Sequence, residues 1–178
     1  MTPAEKRKRY ILLKYKIAAI VRRTIKSKDG EIIQGERSLE MQLPPKYKKP
    51  TQDYDIYSPK PKQSAEETEK ELDKEFGGDY FKTIPAKHKG TYKVVSNIDK
   101  DGWADYTKPG EPVPKIKIGQ TNYTTLQFEL KKAVRTLKQK KYAYRHEKEK
   151  NKIERIKKAL VVKENASKLF GKRKQKWL

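Results

Sequence analysis

This 178-residue sequence contains no cysteine, only two histidines and no long apolar run. The absence of cysteine excludes disulfides, thiolate zinc sites and cysteine nucleophiles. His88 and His146 stand in basic surroundings without a second histidine nearby, so we predict no metal site. The longest apolar stretch, residues 10–21, is interrupted by Lys14 and Lys16 and falls short of the roughly 18 apolar residues that cross a membrane.

Recognisable catalytic signatures are also missing from the sequence. It has no glycine-rich phosphate loop, no nucleophile elbow and no H-E-x-x-H helix. We therefore expect a protein that is not an enzyme and that needs no cofactor.

Acidic residues are too few to balance the basic ones, since 23 Asp and Glu against 45 Lys and Arg leave a net charge of +22. A magnitude of about 2 to 8 suffices for solubility, and self-repulsion beyond it opposes compaction. A polyanionic partner would relieve that repulsion. Nucleic acid is the commonest such partner, because each phosphate that Lys or Arg neutralises releases a counterion.

The excess positive charge lies at the two ends of the chain. Residues 1–28 hold ten bases and one acid, residues 131–178 hold nineteen bases and four acids, and residues 29–130 are close to neutral. This distribution is typical of a folded module with basic arms that contact phosphate. Residues 1–28 also resemble a targeting presequence in their lack of acids, but the scarcity of serine favours a helix that is retained.

We predict an α+β fold. A small central β module, with hairpins and about three to five short strands, is flanked by a basic N-terminal helix and a long basic C-terminal helix, with an extended Pro-rich linker. The expected segments are a basic N-terminal helix or arm (1–28), a β-hairpin (29–43), a Pro/Tyr-rich extended linker (44–63), an acidic helix (64–78), a small β module (79–123) and a long basic helix and tail (124–178).

Local patterns set these boundaries. Thr2 and Glu5 fit a capping box that begins the first helix, although the β-branched stretch after them also permits a strand. Residues 39–43 alternate between apolar and polar side chains, which predicts a half-buried strand. Five of the ten prolines fall in 44–63 and favour an extended segment. Ser64 begins a second capping box.

The basic run 131–158 carries the strongest chemical signal, because thirteen Lys or Arg face three Glu and aromatic side chains stand among them. Point charges with flat rings suit phosphate neutralisation and stacking on unpaired bases. A solvated, salt-bridged helix face is the alternative. The predicted nucleic-acid-binding residues are Lys6, Arg7, Lys8, Arg9, Arg22, Arg23, Lys131, Lys132, Arg135, Lys138, Lys140, Lys141, Tyr142, Tyr144, Arg145, Lys172, Arg173, Lys174, Lys176 and Trp177.

We therefore expect a non-catalytic structural component of a ribonucleoprotein particle, in the first place a ribosomal protein, cytoplasmic or organellar, that binds and braces rRNA. Its Pro/Tyr-rich linker would contact other proteins of the assembly, and it would take no small-molecule substrate. A DNA-associated protein, such as a virion internal protein or a nucleoid factor, is one alternative. A peripheral membrane protein bound through its N-terminal amphipathic helix is another.

Overall fold

The computed structural model describes residues 2–26, 28 and 30–170. The helices in this part of the chain are α1 (Pro3–Lys26), α2 (Gly35–Gln42), α3 (Pro61–Phe76), α4 (Leu126–Leu137) and α5 (His146–Phe170). The strands are β1 (Ile32–Gln34), β2 (Tyr54–Tyr57), β3 (Phe81–Pro85), β4 (Thr91–Ser96), β5 (Gly102–Thr107), β6 (Lys115–Ile118) and β7 (Thr121–Thr124). Two 3-10 turns lie at Pro45–Tyr47 and Lys140–Arg145.

The seven described strands form one mixed sheet in the order β3-β4-β5-β2-β1-β7-β6. Strands β2 and β5 are parallel, as are β1 and β7, and the other neighbours are antiparallel. The predicted α+β class is confirmed. The predicted count of three to five strands was too low, because short strands beside prolines and glycines carry a weak periodic signal.

The first helix begins as the sequence predicts. The Glu5 backbone N–H donates to Thr2 Oγ1 at 3.2 Å, and the Thr2 backbone N–H donates to a Glu5 carboxylate oxygen at 2.6 Å. These two bonds satisfy donors that a helix N-terminus otherwise leaves unpaired. Further along α1, Ile20 and Val21 are buried. None of the helices in the described part of the chain combines the length and apolarity that a membrane crossing requires.

The strand predicted at 39–43 is wrong, because residues up to Gln42 belong to α2. Leu39 and Leu43 are both buried, and the Leu43 backbone N–H donates to the Leu39 carbonyl at 2.8 Å, whereas Met41 is exposed. Residues four apart share one face of a helix. A run of five residues fits both the helical and the strand period, so the alternation alone could not distinguish them.

The proline-rich segment 44–63 is not extended throughout, since it contains the first 3-10 turn, strand β2 and the start of α3. Pro45 and Pro61 each stand in the first turn of a helical segment, where the missing N–H is no loss. The acidic helix was predicted to begin at Ser64, but its N-cap is Lys60 and Ser64 is buried inside it.

The chain divides into two compact units. The first comprises the residues up to Ser38 together with 50–124, and the second comprises 39–49 together with the residues from Thr125 onward. In the first unit α3 packs against β3, β4 and β5, and α1 packs against α3 and β5. The second unit has its own core, formed by Leu39, Leu43, Leu126, Ile156 and Ala159.

Candidate active site

The two faces of the central sheet differ in polarity. On one face Ile56 and Tyr106 are fully buried within the core that α1 and α3 complete. Successive residues of a strand point to opposite faces, so the neighbours of these residues lie on the other side. There, one residue from each of four adjacent strands lies in register, and we refer to this set as the carboxylate row: Gln34 of β1, Asp55 of β2, Asp105 of β5 and Lys93 of β4.

Two of these residues are carboxylates paired directly across parallel strands, Asp55 and Asp105. A third carboxylate, Asp53, precedes Asp55 by two positions. Burial raises the pKa of Asp105 above its ordinary value; Lys93 opposes the shift, and the negative charge of Asp53 adds to it. Asp53 and Asp105 thus repel each other electrostatically, and a cation would relieve that repulsion.

Lys93 lies on the other side of Asp105. Its Nζ is 2.8 Å from Asp105 Oδ2, and the two residues are paired across the antiparallel strands β4 and β5. The Lys93 side chain is 39% exposed and that of Asp105 is 20% exposed. The ion pair is therefore reachable from solvent on the face that carries the row.

Gly35 brings the start of α2 against Asp55. The glycine has φ +67°, and a Cβ at this position would lie 2.7 Å from Asp55 Oδ2. Any other residue would be strained there and would displace the carboxylate. The N-terminus of a helix carries partial positive charge, so it attracts anions such as phosphate.

The donor set suits a hard divalent cation such as Mg²⁺, which prefers carboxylate oxygens. Within residues 2–26, 28 and 30–170 no group of three or more His, Cys, Asp or Glu side chains is arranged to hold a metal ion. The Asp105 carboxylate contacts Lys93 in this arrangement. The fit therefore lies in the chemical identity of Asp53, Asp55 and Asp105 and in the register that pairs Asp55 with Asp105, and a cation at Asp105 would compete with Lys93 for that carboxylate.

The basic residues predicted to bind nucleic acid are not part of the carboxylate row. On α1, Lys8, Arg22 and Arg23 are exposed, and Arg23 Nη2 is 2.9 Å from Glu75 Oε1. The side chains of Lys6, Arg7 and Arg9 lie outside the described residues, as do Lys172, Arg173, Lys174, Lys176 and Trp177.

The remaining predicted residues lie in the second unit. Lys131, Arg135, Lys138, Lys140, Lys141 and Tyr144 are exposed, whereas Lys132, Tyr142 and Arg145 are half-buried. Arg145 contacts Glu149 at 3.1 Å, and Lys141 Nζ is 4.9 Å from the centre of the Tyr142 ring. The structure groups several of these residues around the turn Lys140–Arg145.

That turn corrects the prediction of one long C-terminal helix. Helix α4 ends at Leu137 and α5 begins at His146, and Tyr142 between them has non-helical dihedral angles (φ −107°, ψ 20°). The apolar periodicity lapses near Lys138, and a helix without an apolar face to bury has little to hold it straight.

Asp53, Asp55 and Asp105 were missed by the sequence prediction. Their signal is an acid in the middle of an apolar strand pattern, in Asp53-Tyr54-Asp55-Ile56 and again in Ala104-Asp105-Tyr106. An acid at such a position places a charge on one face of a sheet whose other face is buried. Neighbouring prolines led the first of these strands to be assigned to the linker.

Comparison with solved structures finds a similar fold. No family model and no curated protein matches the chain. Its structure is similar to the crystal structure of the Megavirus polyadenylate synthase, with a TM-score of 0.74 and 22% sequence identity over 84% of this chain. The chain spans about a third of that protein, 32% of its length. A likeness at this level of identity shows a common fold.

This likeness corrects the functional expectation. The sequence predicted a non-catalytic ribosomal protein with a structural role in translation, whereas the fold is shared with an enzyme that is named as a polyadenylate synthase. The expectations of a ribosomal protein and of a chain that is not an enzyme were wrong. Charge at the termini could not reveal this, because a protein that braces RNA and one that acts on RNA both need phosphate contacts.

Proposed function

We propose that this chain is a nucleotidyl-transfer module that adds nucleotides from ATP to the 3′ end of RNA. The observation that supports this proposal is the pairing of Asp55 with Asp105 beside the start of α2. The shared fold with a polyadenylate synthase supports the choice of ATP and RNA as substrates, as an argument from analogy. With ATP as a proposed substrate, we no longer hold to the expectation that the protein takes no small-molecule substrate.

The reaction joins two phosphate-bearing substrates. The 3′-hydroxyl oxygen of RNA attacks the α-phosphorus of ATP and loses its proton, the bond from the α-phosphorus to the oxygen that bridges to the β-phosphate breaks, and pyrophosphate leaves. Positioning and charge stabilisation dominate such transfers. Asp53, Asp55 and Asp105 would hold Mg²⁺, which when bound would neutralise phosphate charge and favour the alkoxide-like form of the attacking oxygen, whose proton passes to solvent water.

The triphosphate would lie against the N-terminus of α2. Gly35 allows the start of α2 and the Asp55 carboxylate to approach each other closely, because it has no side chain that would collide with the carboxylate. The partial positive charge of a helix start attracts phosphate oxygens. A carboxylate beside that helix start allows a bound cation and the phosphates to neutralise one another.

RNA would be held by basic residues that the sequence predicted and the structure exposes. Lys138, Lys140 and Lys141 offer charge beside Tyr144, whose side chain is 77% exposed. Lysines that neutralise phosphate together with an exposed ring suit a single strand, whose bases are free to stack. RNA is proposed over DNA because the similar protein is a polyadenylate synthase.

The test is extension of a labelled single-stranded RNA by the purified chain with ATP and Mg²⁺. The wild type should lengthen the RNA, and Asp55→Asn and Asp105→Asn should each reduce the rate about a hundredfold or more, since metal-bound charge stabilisation is worth several kcal/mol. Asp99→Asn, in the exposed turn between β4 and β5, is the matched control and should keep full activity.

Equilibrium dialysis with labelled ATP supplies a second measurement. The wild type should bind ATP in the presence of Mg²⁺, and Asp55→Asn should bind it more weakly. A wild-type chain that neither extends RNA nor binds ATP under these conditions would contradict the proposal.

A further inference from the structure

We infer that Lys93 is a positioning residue that exchanges partners: it pairs with Asp105 when no divalent cation is bound, and it binds the triphosphate once a cation has taken Asp105. This inference rests on the proposed function. It concerns a residue of β4 that was not among the functional residues predicted from the sequence.

Lys93 lies directly against the carboxylate of Asp105. Lys93 Nζ contacts Asp105 Oδ2 at 2.8 Å, and Asp105 is itself paired with Asp55 on the other side. An ammonium therefore occupies one side of the carboxylate that the proposed cation needs. A cation and Lys93 compete for the same oxygen atoms, because both are attracted by the same negative charge.

The summed charge of the site links the binding of the cation to the binding of the nucleotide. Three carboxylates and one ammonium leave the site at Asp53, Asp55, Asp105 and Lys93 with an excess of negative charge, which repels a triphosphate. A divalent cation bound there cancels that excess, and the ammonium that it displaces becomes available to contact phosphate. The site then no longer repels the triphosphate, so binding of the cation and of the nucleotide should be coupled.

The Lys93 side chain is long and partly exposed, which allows it to change partner. The Lys93 side chain is 39% exposed, and lysine carries its charge on a flexible four-carbon stem with three rotatable donors. It can therefore leave Asp105 without disturbing the strand. Lysine binds phosphate as a point charge, which requires no fixed orientation.

A purely structural ion pair between strands is the competing explanation. Such a pair joins β4 to β5 and contributes to stability, but it predicts no opposite effects on two ligands. The sign of each binding change therefore separates the two explanations.

The experiment compares Lys93→Met with Lys93→Arg, which keeps the charge, and with Lys89→Met, which removes an exposed charge from the loop between β3 and β4. Mn²⁺ serves as the cation probe, followed by its electron paramagnetic resonance signal without nucleotide. ATP binding is measured by equilibrium dialysis at saturating Mn²⁺. Lys93→Met should bind Mn²⁺ about threefold to tenfold more tightly and ATP about tenfold more weakly, within the range for loss of one competing or contacting charge.

The controls should leave both affinities within about twofold of wild type. If Lys93→Met shifts both affinities in the same direction, or neither, the inference is wrong while the proposed function stands. If the wild type binds neither Mn²⁺ nor ATP, the proposed function itself fails.

A measurement on the wild-type chain avoids dependence on the folding of a variant. Amine-reactive labelling followed by mass spectrometry reports the accessibility of each lysine. Lys93 should become more reactive when Mn²⁺ is added and less reactive when ATP follows. A reactivity of Lys93 that changes with neither addition would overturn the inference.

Discussion

Asp55 of β2 and Asp105 of β5 are direct neighbours across two parallel strands, although α3, β3 and β4 lie between them in the sequence. A parallel pair requires a long crossover connection, and here α3, β3 and β4 all lie within it. The register of that pairing, and not any local motif, brings the two carboxylates together. Changes that disturb the register or the adjoining turn should therefore alter binding at the site.

The first prediction concerns Gly35. Gly35→Ala should reduce the free energy of unfolding by about 2 kcal/mol, as expected for a non-glycine residue held at positive φ against a close neighbour, and should weaken Mn²⁺ binding because Asp55 must move. Gly77→Ala is the control, since Gly77 also has positive φ (+71°) but has nothing within 4 Å of the added Cβ. It should cost about 1 kcal/mol and leave Mn²⁺ binding unchanged. Urea unfolding and Mn²⁺ titration measure both effects, and identical behaviour of the two variants would contradict the role of Asp55.

The second prediction concerns RNA binding by the second unit. The triple variant Lys138→Gln, Lys140→Gln and Lys141→Gln should bind single-stranded RNA more weakly, and the slope of log affinity against log salt should become shallower by about 0.7 for each phosphate that is no longer neutralised. Tyr144→Ala should weaken binding about tenfold without changing the slope, because stacking releases no counterions. Filter binding at several salt concentrations measures these quantities. An unchanged slope in the triple variant would show that these lysines do not contact phosphate.

The third prediction concerns a buried ion cluster in the second unit. Lys152 Nζ lies 3.7 Å from Glu129 and 3.9 Å from Glu149, and the Lys152 and Glu129 side chains are 7% and 0% exposed. Lys152→Met should destabilise the protein by about 3 to 5 kcal/mol, because it removes the buried cation that Glu129 and Glu149 share. Adding Glu129→Gln to it should recover part of the loss.

Lys158→Met provides the contrast, since Lys158 pairs with Glu154 on the exposed face of α5. It should leave the midpoint of thermal unfolding nearly unchanged, because exposed pairs contribute little. Equal shifts in the two lysine variants, measured by circular dichroism, would count against the importance of burial.

The fourth prediction concerns pH and Glu31. This buried residue has a pKa raised by burial, against which Ser64 and Lys28 act. Because the folded state holds the proton to higher pH than the unfolded state does, the contribution of Glu31 to stability is greatest below its ordinary pKa and decreases as pH rises toward the folded value. Glu31→Gln should therefore be more stable than wild type at pH 7, with the difference shrinking toward pH 4.

Glu67→Gln should show the opposite sign. The hydrogen bond from Lys28 lowers the pKa of Glu67, so this carboxylate stabilises the fold above its ordinary pKa and loses that effect as pH falls. Urea unfolding from pH 4 to pH 8 compares the two variants. If the stability advantage of Glu31→Gln grew toward low pH, burial would not be what raises the pKa of Glu31.

Features that depend on a few adjacent residues were predictable from the sequence, and those that depend on distant pairing were not. The capping box of Thr2 and Glu5 is a matter of neighbouring groups, and it is present. The pairing of Asp55 with Asp105 depends on a crossover connection between β2 and β5, which patterns of a few adjacent residues do not reveal. Charge predicts a polyanionic partner, which stays a prediction, but a carboxylate site leaves almost no trace in a net charge of +22.

The discontinuous second unit has a consequence for how the chain is made. Leu39 and Leu43 belong to a core completed by Leu126 and Ile156, so they are synthesised long before their partners. At about 5 to 20 residues per second, residues 125–156 take about two to six seconds to emerge after the last strand of the sheet. During that interval the first unit can close its sheet while Leu39 and Leu43 still lack the partners that bury them, so these two leucines should be the last of the chain's early apolar residues to leave water.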